Sequence, residues 1–172
     1  KTGADRASGG RHPLPSRETF AQRLAALGLW DGMQVVVLDR QGGSQCGRLW
    51  WMLKWCGHEA VAVLDGGLAA WKAAGGPLQS GPSVAPEAGV FTLQPSAAAT
   101  ASTASLLRDL GRPGQTVIDA RAAARFRGEV EPLDPVAGHI PGALNRPFAS
   151  NFGPDGRFKP AAQLRAEFDQ LL

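Results

Sequence analysis

Residues 35–71 read VVVLDRQGGSQCGRLWWMLKWCGHEAVAVLDGGLAAW, and this stretch determines the fold class. It contains two short apolar runs, Val35–Leu38 and Val61–Leu64, and a glycine-bearing loop and a helix-compatible segment follow each run. Continuous apolar runs rich in β-branched residues are typical of strands buried in a parallel sheet. The alternation of strands and helices therefore predicts an α/β fold, a parallel sheet flanked by helices.

The same kinds of element extend outward in both directions. Ser16 can cap a helix that ends near Gly28, since serine is a preferred N-cap and glycine a preferred stop. Further along the chain, Phe91–Leu93 and Thr116–Asp119 are candidate strands, and Pro160–Leu172 is a candidate helix with one apolar side. A long irregular connection rich in glycine and proline is expected over residues 128–143.

A break in composition divides the chain. The segment Gly75–Gly89 holds four glycines and three prolines, which is typical of a linker. We therefore expect two partial domains, residues 1–76 and 90–172, joined by a linker at residues 77–89.

Composition limits the classes of function. The chain has 172 residues, 44% of them hydrophobic, and a formal net charge of +3, so a packed core is expected and nucleic acid is not an expected partner. The chain contains no apolar run of about 18 residues and no secretory signal, so no membrane partner is predicted and the cytoplasm is the expected compartment.

Cys46 and Cys56 are separated by about 15 Å of predicted helix, too far for a disulfide. The two cysteines and three histidines lack ligand spacing, so neither a metal nor another cofactor is predicted.

Two places can carry chemistry. The loop Asp39–Ser44 lies between a strand and a helix N-terminus, where backbone amides can converge on an anion. Asp39 is a poor nucleophile, so the loop is either a cradle without a working group or a turn with a capping acid. Arg121, Arg125 and Arg127 form a cluster that either binds sulfonate or carboxylate groups or pairs internally with Asp119 or Glu129.

The quoted stretch resembles the second half of a rhodanese domain. RLWWML at 48–53, the Gly-His pair before the next strand and VLDGG at 63–67 are similar to the first domain of tandem thiosulfate and 3-mercaptopyruvate sulfurtransferases. RHPLPS at 11–16 resembles the histidine-containing loop that precedes them. VIDARAAARFRGEVEPLDPVAGHIPGALNRPF at 117–148 resembles the opening half of the second domain.

The resemblance implies a sulfurtransferase in which a cysteine thiolate takes sulfur from thiosulfate or 3-mercaptopyruvate, becomes a persulfide and passes the sulfur to cyanide or a thiol. It implies that the first domain is catalytically silent, with Asp39 where the cysteine would stand. The catalytic cysteine is expected in the equivalent loop of the second domain, beyond the printed chain.

The resemblance also implies substrate contacts. Arg125 matches a residue that contacts the anionic end of the substrate, and His12 matches an interdomain histidine, here expected only to form part of the site wall. Asp134 stands where mercaptopyruvate-type relatives carry a second arginine, for which Arg127 is the candidate substitute. The acid that accompanies the histidine has no counterpart in this sequence, where Lys1 is near the expected position.

Two other functions stay open: a non-catalytic rhodanese-like binding or regulatory module, and a rhodanese-fold phosphatase, which nothing in the sequence favours. The residue at the head of the second-domain loop separates the first of these from the enzyme. Two structural arrangements also stay open. The strands near residues 35 and 117 either belong to one composite sheet or lie in two incomplete sheets with apolar faces open to water.

We expect the 172-residue chain alone to form no thiocyanate from thiosulfate and cyanide, because both of its cysteines lie in the silent half. A colorimetric thiocyanate assay of the purified chain measures this. Activity that disappears in Cys46→Ser would contradict the expectation.

Overall fold

Helices and short strands alternate along residues 12–41, 43, 45–82, 84 and 86–172, which this computed structural model describes. In chain order the elements are α1 (Arg17–Ala26), β1 (Val35–Val37), α2 (Cys46–Trp55), β2 (Val61–Val63), α3 (Gly67–Ala73), α4 (Thr103–Asp109), β3 (Ile118–Asp119), α5 (Ala123–Phe126), β4 (Leu144–Asn145), a 3-10 turn (Phe148–Asn151) and α6 (Ala161–Leu171). The α/β class predicted from the sequence is confirmed.

The cap predicted at Ser16 is present. Its side-chain oxygen accepts a hydrogen bond of 3.1 Å from the backbone N–H of Thr19, which satisfies one of the free donors at the start of α1. The buried face of α1 consists of Phe20, Ala21 and Leu24. The helix therefore begins directly after its capping residue, and one apolar face of it is buried.

The strands form two separate sheets of two strands each, β1 beside β2 and β3 beside β4. In the first sheet Val35 N–H donates to Ala60 O (2.8 Å) and Leu64 N–H donates to Val37 O (2.9 Å), so the bonds advance in the same direction along both strands. In the second sheet Ile118 pairs with Leu144 and runs parallel to it. The strands near residues 35 and 117 therefore lie in two sheets, and the composite sheet is not formed by the described residues.

Each sheet exposes part of its apolar side chains. Val37 is 3% exposed, whereas Val36 is 53% and Ile118 is 39% exposed. The expectation that these strands would be buried on both faces is therefore wrong for this chain. The open faces agree with the alternative prediction of two incomplete sheets.

Some elements differ from the sequence prediction. Phe91–Leu93 is not a strand, because its backbone donors have other partners: Thr92 N–H donates to the Asp31 carboxylate (2.7 Å). The next residues continue in the same way, with Gln94 N–H donating to Cys56 O (3.1 Å). The segment is therefore bonded to Asp31 and to the end of α2, and it is not part of a sheet. The irregular connection at 128–143 is confirmed.

Contacts within the chain define two compact units. One comprises the described residues within Lys1–Val35, Trp50–Ala62 and Gln79–Ala99, and the other comprises the described residues within Val36–Leu49, Val63–Leu78 and Thr100–Leu172. The division cuts through β1, α2 and β2, so it does not test the predicted linker at residues 77–89. That linker remains a prediction.

The buried core is centred on α2. Leu53 and Cys56 have no exposed surface, and Met52 is 7% exposed. Both cysteines are buried and free. His58, which follows α2, is buried and its Nε2 lies 2.8 Å from Met33 O, so it is a satisfied structural histidine.

We expect Leu53→Ala to lower the free energy of unfolding by about 2–5 kcal/mol, because it opens a cavity in the core. Leu49→Ala in the same helix is the matched control, since Leu49 is 39% exposed and should cost much less. Urea denaturation measures both. Equal losses in the two variants would contradict this placement of the core.

Candidate functional site

The Asp39 loop, residues 39–46, connects β1 to α2; Gly42 and Ser44 lie outside the described residues. The carboxylate of Asp39 turns back into the loop and accepts four backbone hydrogen bonds. Oδ1 accepts from the N–H groups of Gln41 (2.8 Å) and Gly43 (2.9 Å). Oδ2 accepts from those of Gln45 (2.8 Å) and Cys46 (2.9 Å). The amides that could hold a bound anion are therefore occupied by the protein's own carboxylate.

These bonds determine the charge of the loop. Burial of the Asp39 carboxyl opposes its ionisation, but the four N–H donors outweigh burial and hold the pKa of Asp39 well below its ordinary value. The carboxylate is therefore charged at neutral pH and stays in place. Of the two interpretations of this loop, the capping acid describes the observed geometry.

Cys46 lies beside this carboxylate at the start of α2 and is 6% exposed. Burial, reinforced by the negative charge of Asp39, raises the pKa of the Cys46 thiol. Burial likewise raises the pKa of Cys56. A thiol nucleophile needs the opposite shift, so neither cysteine is activated in this structure.

Arg125 projects from α5 onto acidic partners. Its Nη2 lies 2.7 Å from Oε1 of Glu131 and 3.1 Å from Oδ2 of Asp134. The Glu131 side chain is 5% exposed and also accepts the backbone N–H groups of Leu133 and Asp134 (3.0 Å each). The bond from Arg125, with help from these amides, lowers the pKa of Glu131 to about 2.

The other two arginines of the cluster also have carboxylate partners. Arg121 binds Asp119 with an Nη2–Oδ2 distance of 2.6 Å and donates to Gly138 O (2.7 Å). Arg127 binds Glu129 at 2.6 Å, and more than half of each side chain is exposed. The two internal pairs that the sequence left open, with Asp119 and with Glu129, are thus present.

Three residues were predicted to contact the substrate: Arg125, Arg127 and His12. Arg125 and Arg127 leave α5 toward different carboxylates, Glu131 and Glu129. His12 is exposed, and residues 1–11, which include Lys1, lie outside the described residues. Sequence reasoning missed Glu131, which bridges Arg121 and Arg125. An acid four residues after the R-F-R motif was the available signal.

The described residues show two further absences. No three His, Cys, Asp or Glu side chains among them are grouped so that they could hold a metal ion. None of their helices has both the length and the apolar character needed to cross a membrane.

We expect Asp39→Asn to lower the free energy of unfolding by about 1–3 kcal/mol at pH 7, because an amide cannot replace a charged acceptor of four N–H groups. The folded pKa of Asp39 lies below the unfolded one, so its stabilisation is complete above about pH 4 and declines as the pH falls further. Urea denaturation at neutral and acid pH measures this, with the exposed Asp169→Asn as control. A stability difference between the unmodified chain and the Asp39→Asn variant that does not shrink in acid would contradict it.

The chain is similar in sequence to known proteins. Residues 4–74 match the family model of the rhodanese-like domain. The chain is 51% identical over 164 residues to a probable 3-mercaptopyruvate sulfurtransferase of Pseudomonas aeruginosa, covering 95% of this chain and 57% of that protein. It is 41% identical over 158 residues to a putative thiosulfate sulfurtransferase of Mycobacterium tuberculosis, covering 91% of this chain and 55% of the relative.

The fold of the chain is also similar to that of a solved structure. The 3-mercaptopyruvate sulfurtransferase SseA of Escherichia coli superposes with a TM-score of 0.78 at 35% identity, over 92% of this chain and 59% of that one. The chain thus spans between half and two thirds of the length of these relatives. With the family model, the sequence identities and the shared fold in agreement, the chain belongs to the rhodanese family.

Proposed function

We propose that the whole protein is a sulfurtransferase that moves a sulfane sulfur from thiosulfate or 3-mercaptopyruvate to cyanide or a thiol. The observation that carries this proposal is the 51% identity, along 95% of the chain, to a relative named as a 3-mercaptopyruvate sulfurtransferase. The match covers both glycine-rich turns of the first sheet and the arginine cluster, so it is not confined to one domain's core.

The chemistry is covalent catalysis in two steps. A cysteine thiolate attacks the outer sulfur of thiosulfate, the S–S bond breaks, and sulfite leaves with the bonding electrons. The resulting persulfide is attacked at its terminal sulfur by cyanide or a thiolate, which restores the enzyme thiolate. With 3-mercaptopyruvate the bond that breaks is C–S, and the organic product takes up a proton to become pyruvate.

The nucleophile in this proposal is a cysteine outside residues 1–172. Within the described residues the two thiols have raised pKa values and almost no exposure. The Asp39 loop occupies the equivalent position of the first sheet, but its amides are bound to Asp39 itself. A loop of this shape headed by cysteine would offer the same amides to a persulfide anion.

Arg125 is the proposed contact for the anionic end of the substrate. In the structure its guanidinium is held by Glu131, which is nearly buried, and by Asp134, which is 45% exposed. Glu131 therefore orients the guanidinium, and a substrate anion would take the place of the more exposed carboxylate of Asp134. Arg127, exposed and paired with Glu129, is proposed as an outer residue of the same site. His12, which is exposed, is proposed as a substrate contact on the resemblance alone.

The competing function is a rhodanese-like binding module without catalysis. The loop filled by Asp39 and the three arginines paired with carboxylates favour it, since none of these groups is prepared for an anion. Thiocyanate formation by the full-length protein separates the two: turnover supports the enzyme, and none in a folded protein supports the module. The proposed partners are small sulfur donors and acceptors in the cytoplasm, with no nucleic acid, membrane or cofactor.

We expect Arg125→Ala in the full-length protein to raise KM for thiosulfate about 10- to 100-fold, the equivalent of one lost charge-assisted contact. The control is Arg108→Ala, whose side chain is 62% exposed on α4 and paired with Asp109. Because Glu131 would lose its main partner, Arg125→Ala combined with Glu131→Gln is measured as well. An unchanged KM in both Arg125 variants would exclude this role.

A further inference from the structure

Two glycine-bearing turns follow the strands of the first sheet: the Asp39 loop after β1 and the Asp65 turn, Asp65–Gly67, after β2. The carboxyl ends of parallel strands lie at one edge of a sheet, and α/β folds bind their ligands there. In this chain a segment from far along the sequence, Phe152–Phe158, occupies that edge. This edge of the sheet is therefore occupied by residues of the same chain, even though the Asp39 loop carries no nucleophile.

The segment Phe152–Phe158, called here the aromatic hairpin, is a compact unit. Its two end residues pair as an antiparallel bridge, and Gly153 N–H donates to Arg157 O (2.8 Å). The rings of Phe152 and Phe158 pack with centroids 4.5 Å apart and planes tilted by 36°. The hairpin thus presents a paired aromatic surface.

The hairpin contacts both turns of the first sheet. The backbone N–H of Phe158 donates to Oδ1 of Asp65 at 2.8 Å. At Gly43 a Cβ atom would lie 2.8 Å from Cζ of Phe152, and at Gly66 it would lie 3.2 Å from Cγ of Arg157. Gly43 has a φ of +84°, so both its backbone conformation and the nearby ring require glycine.

Almost no space remains between these parts. The void lined by Asp39, Cys46, Gly66, Phe152 and Phe158 measures about 10 Å³, at the lower limit for one water molecule. A thiosulfate ion does not fit there. The side chain of Asp39 is turned into its own loop, where its charge is bound by backbone amides.

We propose that the Asp39 loop and the Asp65 turn form a docking socket for the aromatic hairpin. The ligand edge of the first sheet then serves to anchor residues 152–158 instead of binding a substrate, and the hairpin covers Cys46. This assignment rests on packing alone and holds whether or not the whole protein transfers sulfur.

The two native cysteines report on the socket in the intact 172-residue chain. Cys46 lines the void beneath the hairpin, whereas Cys56 is fully buried in the core around α2. We expect Phe152→Ala to accelerate iodoacetamide labelling of Cys46 about tenfold or more by local opening, with labelling of Cys56 unchanged. Peptide mass spectrometry measures each rate, and Phe148→Ala, which removes a ring that is 43% exposed, is the matched control.

Two outcomes would overturn the proposal: no change at Cys46, or an acceleration shared equally by Cys56, which reports global unfolding. If Phe152→Ala fails to fold, Phe152→Leu keeps an apolar side chain of shorter reach and is expected to give the same difference between the cysteines. Asp65→Ala, which removes the acceptor for Phe158 N–H, should also accelerate labelling at Cys46 alone.

Discussion

Four backbone N–H groups bind the carboxylate of Asp39, and the ligand edge of the first sheet is built around this interaction. These bonds close the loop, fix the position of Gly43 and keep a negative charge beside the thiol of Cys46. A cradle of this kind ordinarily favours a bound anion. Here the anion is a side chain of the same loop, so the amides are satisfied without a ligand. If this half is catalytically silent, as proposed, the silence has a physical cause beyond the lack of a cysteine, because the amides that could hold a sulfur anion are already bound to Asp39.

The sequence predicted the parts of the fold that local patterns determine. Apolar runs marked β1 and β2, and Ser16 marked the start of α1. Strand β3 lies within the predicted strand Thr116–Asp119. Strand β4 has only two residues, too few for a periodic pattern, and it exists because the irregular connection brings Leu144 beside Ile118. The sequence identified Asp39 as the first residue of its loop. It could not show that the carboxylate turns back into the loop, because that orientation depends on the backbone conformation. The arginine cluster was found, whereas its bridging acid, Glu131, was missed, since that pairing depends on the path of residues 128–143.

The two sheets leave apolar side chains exposed, whereas the charged side chains of the arginine cluster are paired with carboxylates. The sheets leave apolar side chains such as Val36 and Ile118 in water, which is costly for a chain of this size. The arginine cluster is satisfied within the chain, because each guanidinium has a carboxylate partner. In the proposed function a substrate anion would displace Asp134, the more exposed of the two carboxylates that Arg125 binds.

If the whole protein transfers sulfur as proposed, and the Asp39 loop is the filled and covered counterpart of a working loop, the sulfur is carried by a cysteine outside residues 1–172. That cysteine can be found by incubating the full-length protein with thiosulfate, trapping persulfides by alkylation and locating the added sulfur atom by peptide mass spectrometry. We predict a single modified cysteine outside residues 1–172, with Cys46 and Cys56 unmodified. Persulfide on Cys46 would contradict this, because that thiol would then be accessible and activated beside the Asp39 carboxylate.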